Sequence, residues 1–122
     1  MENKPQTLDD HQVGDIYVEH RFHNDNIHLF MVLIKKTAKR YAYFMYIPQE
    51  VVDNIDRPFI THKIQEQIDM MIMYPNMSHP NITKWYFNDG KFGKSLKRKS
   101  VAYVSHYYPD RPHLYQNDGY DP

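Results

Sequence analysis

Histidine and aspartate residues concentrate between residues 20 and 28, where side chains of these types could bind a metal ion. His20, His23, Asp25 and His28 form the densest such group in the chain. In a hairpin that turns at residues 23–26, His20 lies on one face of the sheet, and His23 and His28 lie on the other. At most two imidazoles then converge with Asp25, whereas zinc sites take three or four protein ligands. We therefore interpret the group as hairpin residues and predict no metal site.

The segment from Asn88 to Ser95 partly matches a phosphate-binding P-loop. It reads NDGKFGKS, which ends in the Gly-Lys-Ser of G-x-x-x-x-G-K-[ST] but has Asn88 in the first position. A P-loop needs a helix after it, because the amino terminus of that helix faces the phosphates. The residues that follow favour a strand, so we predict a hairpin turn and no nucleotide cofactor.

The residues that could catalyse a reaction are present without the spacing that would bring them together. The chain has serine and histidine but no G-x-S-x-G motif and no cysteine. Carboxylates for acid–base chemistry could come from Asp15, Glu19 or Asp25, but no pattern places a nucleophile, a base and an orienting group together. We therefore predict no catalytic residues, no cofactor and a protein that is not an enzyme.

Two basic turns have the composition of a nucleic-acid-binding surface. Equal numbers of acidic and basic residues give the chain no net charge, but residues 26–48 carry +4 and residues 84–109 carry +5. Lysine and arginine bind phosphates, and nearby aromatic side chains can stack on bases. The alternative is a pair of solvated hairpin tips, since lysine also discourages pairing between exposed strands. The residues predicted to bind a nucleic acid or an acidic partner are Lys35, Lys36, Lys39 and Arg40 in the first turn, and Lys91, Lys94, Lys97, Arg98 and Lys99 in the second.

Apolar runs on both sides of the first basic turn predict the centre of the fold. Ile27–Ile47 reads as two strands joined by a turn at Lys35–Arg40. Further strands are predicted at Ile16–Phe22, at Ile82–Phe87 continuing after a turn as Lys91–Ser95, and at Lys99–Tyr108. We predict an α+β domain with a twisted antiparallel sheet of about five strands, ordered β-β-β-α-β-β, and one amphipathic helix on one face. A small half-open β-barrel with one helix is the alternative.

A stripe of apolar residues with helical spacing predicts the helix. Ile60, Ile64, Ile68, Met71 and Ile72 lie on one face of such a helix. Asp56-Arg57-Pro58 resembles its start and Tyr74-Pro75 its end, while Gln49–Ile55 resembles a turn or a short helical piece. We expect Ile64 and Ile68 to pack against Leu29, Met31 or Phe44.

The predicted register leaves a second apolar face on the sheet. With Phe22 opposite Ile27 and Ile34 opposite Tyr41, the helix covers the face that contains Leu29 and Met31. The other face must be covered by closure of the sheet, by the C-terminal tail or by a partner, because large exposed apolar patches are rare in monomers. It carries Phe30, Val32, Ile34, Tyr41, Tyr43 and Met45. The predicted partner interface consists of Phe30, Tyr41, Tyr43, Trp85 and Phe92.

Length and composition favour a single domain over residues 1–122, with a polar lead-in at 1–13 and an irregular tail at 109–122. The absence of cysteine favours a reducing compartment, the polar start does not resemble a targeting peptide, and the apolar runs are too short to span a membrane. We therefore expect a cytoplasmic protein. We expect it to bind another protein, with the general character of a viral accessory protein or inhibitor. Nucleic-acid binding is the alternative function, and association with further copies of the chain is also open.

Overall fold

The computed structural model describes residues 7–21, 27–37, 40–88, 90–93 and 102–109. A short 3-10 helix, Leu8–Asp10, precedes the first strand. The strands are β1 Ile16–Arg21, β2 Ile27–Lys36, β3 Tyr41–Tyr46, β4 Gln49–Val52, β5 Ile55–Pro58, β6 Ile82–Asn88, β7 Lys91–Gly93 and β8 Ala102–His106. The helix α1 spans His62–Met73.

Six of these strands form one antiparallel sheet that curls into a nearly closed barrel. Their order is β7-β6-β3-β2-β1-β8, and the outer strands β7 and β8 lie close to each other. The strands β4 and β5 form a separate two-stranded hairpin between β3 and α1. The predicted α+β class is confirmed, and the half-open barrel describes the sheet better than an open sheet does.

The barrel interior is filled by aromatic and aliphatic side chains. Strand residues alternate between the two faces of a sheet, so every second residue points inward. Rings meet edge to face, as in the contacts of Phe44 with Tyr17 and Phe92, whose centroids lie 5.2 and 5.3 Å away. The buried residues of this interior are Tyr17, Met31, Leu33, Ala42, Phe44, Trp85, Phe87 and Phe92.

The helix α1 covers the outer face of the sheet with the predicted stripe. Ile68 is buried, and the other four residues of the stripe pack around it against the same core. Thr61 caps the helix, because its side-chain oxygen accepts a hydrogen bond from the backbone N–H of Ile64 at 3.2 Å. The helix ends at Met73, with Tyr74 as its C-cap before Pro75, as predicted.

The predicted register between β1 and β2 is wrong by one residue. Arg21, not Phe22, lies opposite Ile27, so the two faces of β1 are exchanged relative to β2. The expected contact of α1 with Leu29, Met31 or Phe44 is also wrong, because the helix packs on the face with Phe30 and Val32, while Met31 and Phe44 lie in the barrel interior. Loop length sets the register of a hairpin, and the apolar pattern could not correct it because both faces of β2 are apolar.

The predicted helix start at Asp56-Arg57-Pro58 is also wrong. These residues belong to β5, and the predicted turn at 49–55 contains β4. Asp53 and Asn54 connect the two strands with φ angles of 53° and 65°. Positive φ at both central residues is the geometry of a tight hairpin turn, which Asp and Asn tolerate better than most residues.

The two terminal segments are described only in part, at residues 7–13 of the lead-in and at Pro109 of the tail. The lead-in at 1–13 contributes to the core, because Leu8 packs against the barrel interior. The tail at 109–122 lies outside the described residues beyond Pro109.

Candidate functional site

The outer face of the sheet carries a cluster of tyrosines and lysines outside the apolar core beneath α1. Lys35 on β2, Tyr43 on β3 and Lys84 on β6 lie opposite one another in a row across the three strands. Tyr41 and Tyr86 form the neighbouring row on β3 and β6. These five residues form the tyrosine–lysine surface. Both lysines are exposed, and the three tyrosines are half-buried.

The side chains of this surface contact one another. The Nζ atom of Lys84 lies 4.1 Å from the ring centroid of Tyr41 and 5.8 Å from that of Tyr86. The two tyrosine rings meet at 60° with their centroids 4.8 Å apart. A lysine ammonium at this distance from an aromatic face forms a cation–π contact, which holds the charge on the surface.

The strands beneath this surface carry only positive charge. Together β2, β3, β6 and β7 contain Lys35, Lys36, Lys84 and Lys91 and no aspartate or glutamate. Arg40, in the turn between β2 and β3, is also exposed. The chain as a whole has no net charge, so the excess of positive charge in these strands is local.

The structure separates the predicted basic residues into three groups. Lys35, Arg40 and Lys91 are exposed around this surface. Lys36 pairs with the inward-facing Ala42, and its Nζ donates a hydrogen bond to the carbonyl oxygen of His11 at 2.6 Å. Lys36 is therefore not part of the predicted binding surface. Lys39, Lys94, Lys97, Arg98 and Lys99 lie outside the described residues.

Three of the predicted interface residues are core residues. Trp85 and Phe92 fill the barrel interior, and Phe30 lies beneath α1, so none of them is available to a partner. Tyr41 and Tyr43 remain at the surface. The sequence analysis missed Lys84 and Tyr86, although alternation in β6 places them on the face of the sheet away from Trp85 and Phe87. No sequence pattern indicated that β6 pairs with β3.

No protein-family model, curated protein or solved structure matches this chain. Among the described residues, no helix is long and apolar enough to cross a membrane. In the same ranges, no three histidine, aspartate or glutamate side chains converge to form a metal site.

The structure places His20 beside His28, whereas the predicted register put these two imidazoles on opposite faces of the sheet. His20 and His28 lie opposite each other on β1 and β2, with ring centroids 5.1 Å apart, while His23 and Asp25 lie outside the described residues. His20 is buried, and its Nε2 lies 2.7 Å from the hydroxyl oxygen of Ser105. Burial, together with the positive charge that His28 can carry, lowers the pKa of His20 to about 4.

A second polar cluster links the segment before β1 to β1 and β8. The Nδ1 atom of His11 lies 2.7 Å from the hydroxyl of Tyr17, and the Nε2 of His106 lies 3.1 Å from a carboxylate oxygen of Asp15. Burial lowers the pKa of His11 and raises that of Tyr17, so both groups are held in their neutral forms. The contacts join the segment before β1 to the end of β8 and suit a structural role better than a nucleophilic one.

The predicted P-loop is a hairpin in its described part. Asn88 pairs with Lys91, and Phe87 pairs with Phe92, so a strand follows the turn where a P-loop would have a helix. Lys94 and Ser95 lie outside the described residues.

An open groove with a methionine-rich wall runs along α1. It has a volume of about 700 Å³ and lies between the helix, the end of β3 and the loop at 76–81. Met45, Met70, Met71 and Tyr74 are among its lining residues. Met70 and Tyr74 are 58% and 68% exposed.

Proposed function

We propose that this protein is a non-enzymatic nucleic-acid-binding module and that it binds through the tyrosine–lysine surface. The observation that carries the proposal is the row Lys35–Tyr43–Lys84, in which an aromatic side chain lies between two cationic ones on adjacent strands. Such a row matches a nucleotide chain, in which aromatic bases alternate with negatively charged phosphates.

The local charge favours a polyanion over an ordinary protein partner. The exposed lysines of the four strands beneath the surface are Lys35, Lys84 and Lys91, and the same strands carry no carboxylate. Each phosphate that a lysine neutralises releases counterions, which makes binding favourable at low salt without any base-specific contact. Phe30, Trp85 and Phe92, which were predicted to lie at a protein interface, are buried in the core. Their burial favours the nucleic-acid alternative.

The proposal can be tested by titrating a fluorescently labelled oligonucleotide with the full chain and following anisotropy. We expect a Kd of about 10⁻⁴–10⁻⁶ M or tighter at moderate salt, as for other non-specific complexes. Lys84→Gln should weaken binding, whereas Lys63→Gln, which removes an exposed lysine of α1, should leave the affinity unchanged. Equal losses from the two variants, or no binding at low salt, would contradict the proposal.

A protein-binding function remains the second candidate, and the methionine-rich groove favours it. Methionine adapts its shape to different apolar partners, and exposed methionine and tyrosine are enriched at interfaces. We propose that this groove, and not the predicted sheet face, would bind an apolar segment of a partner. Peptides selected on the full chain should lose binding to Met70→Lys but not to Lys84→Gln; the reverse pattern would exclude the groove. An accessory or inhibitory role remains a prediction.

A further inference from the structure

We infer that the tyrosine–lysine surface takes single-stranded and not double-stranded nucleic acid, with two successive bases stacked on Tyr43 and Tyr86. This inference rests on the proposed function and names the form of nucleic acid that the same surface selects. The inference follows from the placement of the aromatic rings. Binding of phosphates by the lysines alone would not require these rings.

The two rows of the surface offer two stacking positions. Tyr43 and Tyr41 are two residues apart on β3, so the rows to which they belong are separated by about 7 Å along the strand. The Nζ of Lys84 lies 4.1 Å from the centroid of Tyr41 but 5.8 Å from that of Tyr86. Lysine therefore covers Tyr41 more closely than Tyr86, which leaves Tyr86 as the better platform for a base in that row.

The lysines lie where the phosphates of such a strand would pass. Lys35 and Lys84 flank Tyr43 on the two adjacent strands, and neighbouring strands are about 4.8 Å apart. Lys35 and Lys84 therefore lie on the two sides of a base on Tyr43, with the ammonium of Lys84 over Tyr41 in the neighbouring row. The exposed Lys91 lies on β7 and pairs with Asn88, two residues beyond Tyr86 on β6, and extends the positive charge past the second row.

A duplex cannot use the same contacts. Its bases are stacked on one another inside the helix, so the tyrosine rings could not reach their faces and only phosphate contacts would remain. Stacking on aromatic side chains stabilises each base by about 1–3 kcal/mol, which corresponds to about a five- to 150-fold change in affinity. Single strands should consequently bind more tightly than duplexes of the same length.

The test compares a labelled single-stranded oligothymidylate with a duplex of the same length, using anisotropy with the full chain. Tyr43→Leu and Tyr86→Leu should each weaken single-strand binding at least about fivefold and leave duplex binding unchanged. Tyr43→Phe retains a ring and should bind nearly as the native chain does. Tyr74→Leu, which replaces an exposed tyrosine after α1, is the matched control and should have no effect.

A second measurement uses the native chain, because the half-buried tyrosines could also contribute to stability. Ultraviolet crosslinking to a bromouracil-containing oligonucleotide should attach it to Tyr43 or Tyr86, as identified by mass spectrometry. Crosslinks confined to α1, or equal affinity for single strand and duplex with no effect of the leucine variants, would overturn the inference. No binding to either form would overturn the proposed function itself, so the two failures are distinguishable.

Discussion

Acidification from pH 7 to pH 5 should destabilise this fold, with His20 as the largest identifiable contributor. The side chain is buried on β1 beside His28 and Ser105, and its pKa in the folded state is about 4, against 6.5 in the unfolded chain. The unfolded chain therefore binds a proton that the folded chain excludes. The contribution of His20 to stability is fully present above pH 6.5 and is lost as the pH falls towards 4.

The magnitude follows from these two pKa values. Between pH 7 and pH 5, proton uptake by the unfolded state should reduce the free energy of unfolding by about 2 kcal/mol from His20 alone. Burial lowers the pKa of His11 and His28 as well, so their losses add in the same direction. A total loss larger than that from His20 is therefore expected for the native chain.

Urea unfolding followed by circular dichroism at both pH values measures this loss. His20→Gln retains a polar group that can bond Ser105 but cannot take up a proton, so its stability should fall by about 2 kcal/mol less than that of the native chain. His62→Gln is the control, because that imidazole is 91% exposed. If His20→Gln loses as much stability as the native chain between pH 7 and pH 5, the reasoning is refuted.

Three further substitutions test the core, a buried hydrogen bond and a turn by the same unfolding assay. Ile68→Ala should cost about 2–5 kcal/mol because it opens a cavity beneath α1; a loss under about 0.5 kcal/mol would mean that the stripe does not face the sheet. Tyr46→Phe removes the hydroxyl that donates to the buried carboxyl of Glu19 at 2.5 Å and should cost about 1–3 kcal/mol; an unchanged midpoint would show that the bond adds nothing. Asn54→Val places a β-branched residue at a φ of 65° and should cost about 1–2 kcal/mol, whereas Asn54→Gly should be nearly neutral; equal losses would contradict the turn geometry.

The sequence predicted where the main strands and the helix lie but not how the strands are aligned. Short apolar and aromatic runs predicted β1, β2, β3 and β6, and the stripe through Ile68 predicted α1, because these patterns depend only on the local sequence. The register of β1 on β2 depends on the length of the turn between them. Phe30 on one face of β2 is as apolar as Met31 on the other. The sequence therefore did not indicate which of the two faces lies beneath the helix.

The hairpin β4–β5 was missed because Asp56-Arg57-Pro58 also fits the start of a helix. The signal that could have found it is Asp53-Asn54, two residues that tolerate the positive φ of a hairpin turn. The candidate site was predicted in part, since alternation placed Tyr41 and Tyr43 on one face. Lys84 joins them only through the pairing of β3 with β6, which are far apart in the chain and whose alignment no local pattern encodes.

The salt dependence of oligonucleotide binding tests the central claim most directly. For a single strand, the logarithm of the binding constant should fall linearly with the logarithm of the salt concentration, with a slope of about −0.7 for each phosphate neutralised. The Lys35→Gln/Lys84→Gln double variant should reduce the slope by about 1.4, and Lys63→Gln should leave it unchanged. A slope near zero for the native chain, or one that the double variant does not alter, would contradict nucleic-acid binding by the tyrosine–lysine surface.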